Sequence, residues 1–163
     1  MMLSAQTTQL RARDITAEPL SGLMTHSDDA QPSRRPRPVV LIADEYADSR
    51  ALYQEYLEFF GVEVVTAASG DEAVRLARLH KPALILMDIR MTGMTGTQAM
   101  HAIRREPSVP PVPIVAFTAH ALDDERRAIL ASGFDGCISK PCLPQDLLAF
   151  IRSTVDVTEE PAS

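Results

Sequence analysis

Ala83-Leu84-Ile85-Leu86-Met87-Asp88 is five apolar residues running straight into a carboxylate. The run has strand length and lacks the alternation of a half-wetted strand, so it reads as a parallel strand covered on both faces. An acid at its C-terminal end stands where open parallel sheets place their functional groups. Outward from it, the same rhythm repeats. Val39-Val-Leu-Ile-Ala43 is another apolar strand, and it too runs into acids, Asp44 and Glu45. Val62 to Thr66, Val112 to Phe117 and Gly136 to Ser139 complete five strands.

Helical segments separate them. Asp48 to Phe60 carries a stripe at Leu52, Tyr56, Leu57 and Phe60, with Gly61 placed as a C-cap. Ser69-Gly-Asp-Glu72 is a capping box opening a helix with Ala73, Leu76, Ala77 and Leu79 inward, stopped by Lys81-Pro82. The loop from Ile89 to Gly96 leads to a helix with Met100 and Ile103 inside. Ala121 to Ser132, closed by Gly133, and Leu143 to Thr154 are the last two helices. Five βα repeats predict an α/β, doubly wound, five-stranded parallel sheet with helices on both faces.

The 163 residues suit one such domain, and with 45% hydrophobic residues but no Trp its core must be mostly aliphatic. Residues 38–154 are expected to form it, 1–37 a flexible leader ending in Gln31-Pro-Ser-Arg-Arg-Pro-Arg-Pro38, and 155–163 a disordered tail. Residues 1–37 hold 5 basic and 4 acidic side chains, and residues 38–153 hold 11 and 15, so no region is basic enough to track nucleic acid. Cys137 and Cys142, five apart, match no zinc or redox spacing. No apolar run is long enough to span a membrane, and the N-terminus lacks a signal peptide's basic start and apolar middle. A cytoplasmic protein is the expectation.

The strand ends carry the chemistry. The first gives Asp44 and Glu45, the third Asp88, the fourth Thr118 and the fifth Lys140. Any one of these alone is ordinarily a cap, a turn or a solvated charge. Together they place three carboxylates, a hydroxyl and an ammonium at one edge. Clustered carboxylates repel one another, and a hard divalent cation relieves that; Mg2+ takes one or two carboxylates and keeps its other positions for water and phosphate.

Ile42-Ala-Asp44-Glu45, Leu86-Met-Asp88-Ile89-Arg90-Met91, Phe117-Thr118-Ala119-His120-Ala121 and Ser139-Lys140-Pro141 resemble the successive motifs of response-regulator receiver domains, the chemotaxis-type modules of two-component signalling. The resemblance covers about 115 residues. It implies the flavodoxin-like strand order 2-1-3-4-5, which the general description of that fold already gives for a chemotaxis receiver. It implies Asp88 as phosphoacceptor, with Thr118 and Lys140 meeting phosphoryl oxygens. Mg2+ would be held by Glu45, Asp44, Asp88 and the backbone carbonyl of Arg90. A cis peptide between Lys140 and Pro141 is a further expectation.

The partners it implies are a histidine kinase or histidine phosphotransfer protein and a downstream protein. That second partner would meet the face of the fourth helix, fifth strand and last helix, around Arg126, Cys137 and Gln145. A stand-alone regulator with slow self-dephosphorylation, not a dedicated enzyme, is expected, since little chain follows Thr154.

Some positions depart from the family. Thr92 stands where proline is typical, and Thr95 where an acid is common. Cys137 replaces the aromatic that usually swings inward with the threonine. His120 reads as a solvated loop histidine. Other functions fit less well. A dehalogenase-type phosphatase wants a second Asp at Arg90, and a flavodoxin-like phosphate loop is opposed by the acids of 44–48. A receiver that binds partners without phosphorylation is opposed by the intact set of acids, Thr118 and Lys140.

Overall fold

The sheet is built by five short strands, all parallel: β1 (Val39–Ala43), β2 (Glu63–Ala67), β3 (Leu84–Met87), β4 (Ile114–Thr118) and β5 (Gly136–Ser139). Their order is β2-β1-β3-β4-β5, as expected. They alternate with α1 (Ala47–Phe59), α2 (Gly70–His80), α3 (Gly96–Arg104), α4 (Asp123–Ala131) and α5 (Pro144–Thr154). This computed structural model describes residues 37–119 and 121–155. His120 and nearly all of the expected leader and tail lie outside the described residues.

The pleat sorts the strands into two cores. Val40, Ile42, Leu84, Leu86, Val115 and Phe117 point to one face, where Tyr53 and Leu57 of α1 and Leu147 and Ile151 of α5 cover them. Leu41, Ala43, Ile85, Met87, Ala116 and Cys137 point to the other face. There they meet α2, α3 and Ile129 of α4. A strand filled on both faces has no polar side to show, which is why β1 and β3 read as unbroken apolar runs.

Several boundaries differ from the sequence reading, each for a local reason. At the end of α1, Gly61 has φ 84°, its N–H donates to the Glu58 carbonyl, and Val62 N–H reaches back to Leu57. That paired arrangement is a Schellman motif. It commits Val62 to the helix end, so β2 begins at Glu63. The stripe on α1 is corrected too. Tyr53 and Leu57 are buried, whereas Leu52 and Phe60 are 54% and 37% exposed. On α2, Leu79 is exposed and Val74 takes its place inside. β4 begins at Ile114, after Pro113, which has no N–H to give a ladder. α4 begins at Asp123, where three acids fill the first turn and the Glu125 carboxylate accepts from Leu122 N–H.

Caps fix the helices that lead back from the site. Ser69 accepts from Glu72 N–H as expected, but the Glu72 carboxylate accepts from Ala68 rather than Ser69. Thr95 forms a full capping box with Gln98 at the start of α3.

At the opposite end of the sheet, Asp135 accepts from Ile114 N–H at 2.8 Å and from Arg104 at 2.5 Å, while Arg104 also donates to the Val112 carbonyl at 2.9 Å. Burial pushes the Asp135 carboxyl up, but the bonds from Ile114 and Arg104 outweigh it and hold the group below its ordinary 3.8. A carboxylate with a depressed folded-state pKa stabilises the fold above its unfolded value, and that contribution is lost as pH falls through the folded one. Asp135 is 49% exposed, so solvent screening keeps the effect to about 1 kcal/mol. Asp135→Asn is expected to be about that much less stable at pH 7 in denaturant unfolding, and the gap should close as pH drops below 3.8.

Candidate functional site

Three strand ends bring the expected residues together. Asp44 follows β1, Asp88 follows β3, and Thr118 closes β4; they are 0%, 6% and 1% exposed. Neighbouring strands hold them in register, with Asp88 N–H donating to the Ala43 carbonyl at 2.8 Å. Lys140, just after β5, crosses to them: its Nζ stands 2.6 Å from Asp44 Oδ2 and 3.1 Å from Asp88 Oδ2. One ammonium therefore bridges two buried carboxylates. Its backbone N–H donates to the Thr118 carbonyl at 2.8 Å, and the Lys140–Pro141 peptide is cis.

Asp44 is the most heavily partnered group. Tyr46 N–H donates to Oδ1 at 2.8 Å, and Ser49 Oγ donates to Oδ2 at 2.7 Å. Burial alone would raise this carboxyl, but Lys140, Ser49 and Tyr46 together hold it below the usual carboxylate range. Asp88 accepts on Oδ1 from Arg90 N–H at 3.1 Å, and its Oδ2 meets the Lys140 ammonium. Asp88 thus lies beside a cation and has fewer hydrogen-bond donors around it than Asp44 has.

Glu45 is placed differently. Its Oε2 accepts from Thr92 N–H at 3.1 Å and from Thr92 Oγ1 at 3.0 Å, at the rim of an open groove of about 510 Å³ that also takes in Arg90, Thr95 and Thr97. Among the described residues no three His, Cys, Asp or Glu side chains stand close enough to hold a metal ion. The donor set nonetheless suits Mg2+: hard carboxylate oxygens and a carbonyl, two of the acids already side by side. What separates them from a ready site is Glu45, turned toward Thr92, and Lys140, lying between the other two.

Cys137 is 7% exposed and packs in the core under Ile129 and Phe134. Burial pushes its thiol up, with Arg126 opposing. Of the three positions marking the expected partner face, Arg126 and Gln145 are exposed and Cys137 is buried. The sequence reading missed Ser49 and Tyr53. Ser49 had a signal, a hydroxyl in the first turn of the helix that follows Asp44. Tyr53 did not, because a buried phenol looks like any core aromatic until its partner is known.

A family model described as the response regulator receiver domain matches residues 40–152. The chain belongs to that family. Sensor protein GacS of Pseudomonas syringae pv. syringae is 42% identical over 118 residues, covering 71% of this chain and 13% of GacS. The chain spans 15% of a second GacS, from Pseudomonas protegens. The polar-differentiation response regulator DivK of Brucella anthropi is 30% identical over 118 residues, 72% of this chain and 95% of DivK. Chemotaxis protein CheY4 of Vibrio cholerae superposes with TM-score 0.68 at 28% identity, over 73% of this chain and 99% of CheY4. The receiver domain of sensor histidine kinase PA1611 from Pseudomonas aeruginosa has TM-score 0.65 at 28% identity, over 72% of this chain and 97% of its own. That structure is described with a magnesium ion coordinated in the active site cleft. This receiver is thus a module of two-component signalling, a family that works through phosphorylation and meets histidine kinases or phosphotransfer proteins. No described helix is long and apolar enough to cross a membrane.

Proposed function

We propose that this receiver, residues 38–154, accepts a phosphoryl group on Asp88 from a phosphohistidine donor and passes the signal on by protein contact. The observation that carries this is the Lys140 bridge between buried Asp44 and Asp88. Asp88 Oδ attacks phosphorus, the donor's N–P bond breaks, and an acyl phosphate forms. A loose phosphoryl transition state needs positioning and charge neutralisation more than covalent help. Lys140 supplies one cation, moving from the carboxylates to a phosphoryl oxygen, and the Thr118 hydroxyl meets another. Asp44, Glu45, Asp88 and the Arg90 carbonyl would hold Mg2+, which when bound would offset negative charge on the transferring group. Water hydrolyses the acyl phosphate, so the signal is self-limiting.

DivK, matched along 95% of its length, supports a receiver acting by itself. The GacS match supports a second reading, a receiver module of a hybrid sensor kinase. Transfer from candidate phosphohistidine proteins separates them: a receiver of the second kind takes phosphate from its own kinase region.

The test is incubation of the full chain with Mg2+ and a small acyl phosphate, read by intact mass and phosphate-affinity gel. One added phosphoryl group is expected on the wild type and none on Asp88→Ala. An unmodified wild type would sink the reading, and a modified Asp88→Ala would move the acceptor elsewhere.

Thr92 gives a second expectation. Proline, common at this position, has neither N–H nor hydroxyl, so the hold on Glu45 belongs to this chain. Thr92→Val removes the hydroxyl and keeps the N–H. A hydrogen bond to a charged group is worth about 1.5–3 kcal/mol, and well under that at an exposed site. Mg2+ affinity in calorimetric titration should therefore rise about twofold to fivefold, and fall in Glu45→Gln.

A further inference from the structure

Between the pocket and α1 lies a contact chain that the phosphoryl chemistry does not use. The Lys140 ammonium stands 4.8 Å from the centre of the Phe117 ring. Phe117 is fully buried and directly precedes Thr118. On it rests Tyr53, edge to face, with ring centres 5.1 Å apart at 67°. The Tyr53 hydroxyl then donates to the Cys142 carbonyl at 2.9 Å, two residues past Lys140. The chain around Lys140 is therefore tied on both sides: before its side chain by its own N–H to Thr118, and after it by Cys142 to Tyr53.

We infer that Tyr53 is a positioning residue for Lys140, acting through the Phe117 ring and through the loop that joins β5 to α5. The inference rests on the role proposed for Lys140 in phosphoryl transfer.

An ammonium over an aromatic face is held by the ring quadrupole, and the hold strengthens where water is excluded. Lys140 is 15% exposed, so the ring supplies a third side to a cation whose other neighbours are Asp44 and Asp88. The edge-to-face contact with Tyr53 fixes the tilt of that ring. A core position at 53 would be filled as well by phenylalanine. What the phenol adds is the bond to the loop, and burial pushes its pKa up, so it stays a donor throughout the working range. A lysine side chain has four rotatable bonds and much to lose in ordering. Anchoring its backbone on both flanks and its ammonium from behind reduces the number of places it can go.

Two measurements on the full chain test this. The first is the rate of Asp88 phosphorylation against concentration of a small acyl phosphate at saturating Mg2+. Tyr53→Phe keeps the ring and the packing. It should lower the saturating rate about threefold to tenfold and leave the half-saturating concentration unchanged, because Tyr53 does not touch the donor. The second is the NMR signature of the Lys140 side-chain methylenes in metal-free, donor-free protein. The Phe117 ring should shift them in the wild type, and Tyr53→Phe should move them toward random-coil values. Phe117→Leu should abolish the ring shift. Wild-type kinetics with unmoved Lys140 resonances in Tyr53→Phe would overturn the inference. So would a changed half-saturation with an unchanged saturating rate, which would put Tyr53 in donor binding. If the wild type takes no phosphate, the Asp88 reading fails, while the NMR arm still decides whether Tyr53 positions Lys140.

Discussion

Lys140→Met is expected to slow phosphorylation of Asp88 at least a hundredfold and to destabilise the receiver by about 3 kcal/mol at neutral pH. Methionine matches the length of the lysine stem and lacks its charge, so packing is largely kept. What is lost is the single cation between two carboxylates that are 0% and 8% exposed at their side chains. Removing one partner of a buried pair costs about 3–5 kcal/mol, because the other charge is left without compensation. The lower end applies here, since Asp44 keeps its bonds from Ser49 and Tyr46. The two effects have separate readouts. Urea unfolding in chelator gives the stability loss, and the rate with a small acyl phosphate gives the chemical one. They should also respond differently to Mg2+. A divalent cation can replace the missing charge beside the acids, so added Mg2+ should restore part of the stability. It should not restore the rate, because nothing replaces the ammonium on the far side of the phosphoryl group. A variant that regains full rate with Mg2+ would show that Lys140 acts only on the fold.

The sequence revealed the sheet and the pocket for one shared reason. Strands buried on both faces must be apolar throughout, so the first polar residues after β1 and β3, Asp44 and Asp88, stand out, while Thr118 closes β4 and Lys140 follows Ser139 at the end of β5. Helix faces are harder to read. On α1 the sequence offers Leu52, Tyr53, Tyr56, Leu57, Phe59 and Phe60, more apolar residues than one stripe can bury, and periodicity does not choose among overlapping stripes. The sheet chooses, by giving Tyr53 the Phe117 ring to pack on and the Cys142 carbonyl to bind. The same limit applies to long-range side-chain bonds. Thr92 reads as a departure from the family pattern, and its grip on Glu45, 47 residues away, has no sequence signal. Thr95 reads as another departure. Its role is local, and Thr95-x-x-Gln98 ahead of an apolar helix is legible as a cap.

The stretch that packs under Asp88 tolerates little at one point, and a pair of glycines shows why. Gly96 opens α3, and its N–H donates to the Ile89 carbonyl at 2.9 Å. A Cβ there would overlap the carbonyl oxygen of Asp88 and lie 2.8 Å from its carbon and 2.9 Å from Ile89 Cα. All three are backbone atoms, so no side chain can rotate out of the way. The helix must lift or Asp88 must move. Gly96→Ala is expected to cost about 3–5 kcal/mol in denaturant unfolding, in the range of the most damaging single substitutions. Any folded fraction should take phosphate poorly, since relief of the clash displaces Asp88 from Lys140. Gly93 provides the contrast. It has φ +80°, and an added methyl would meet nothing within 4 Å, so Gly93→Ala meets only backbone strain, about 1 kcal/mol. It should leave phosphorylation close to wild type. The two variants make the same chemical change three residues apart in one loop. If both were equally mild, the close approach of α3 to the Asp88 backbone would be wrong, and with it the account of what fixes Asp88 in place.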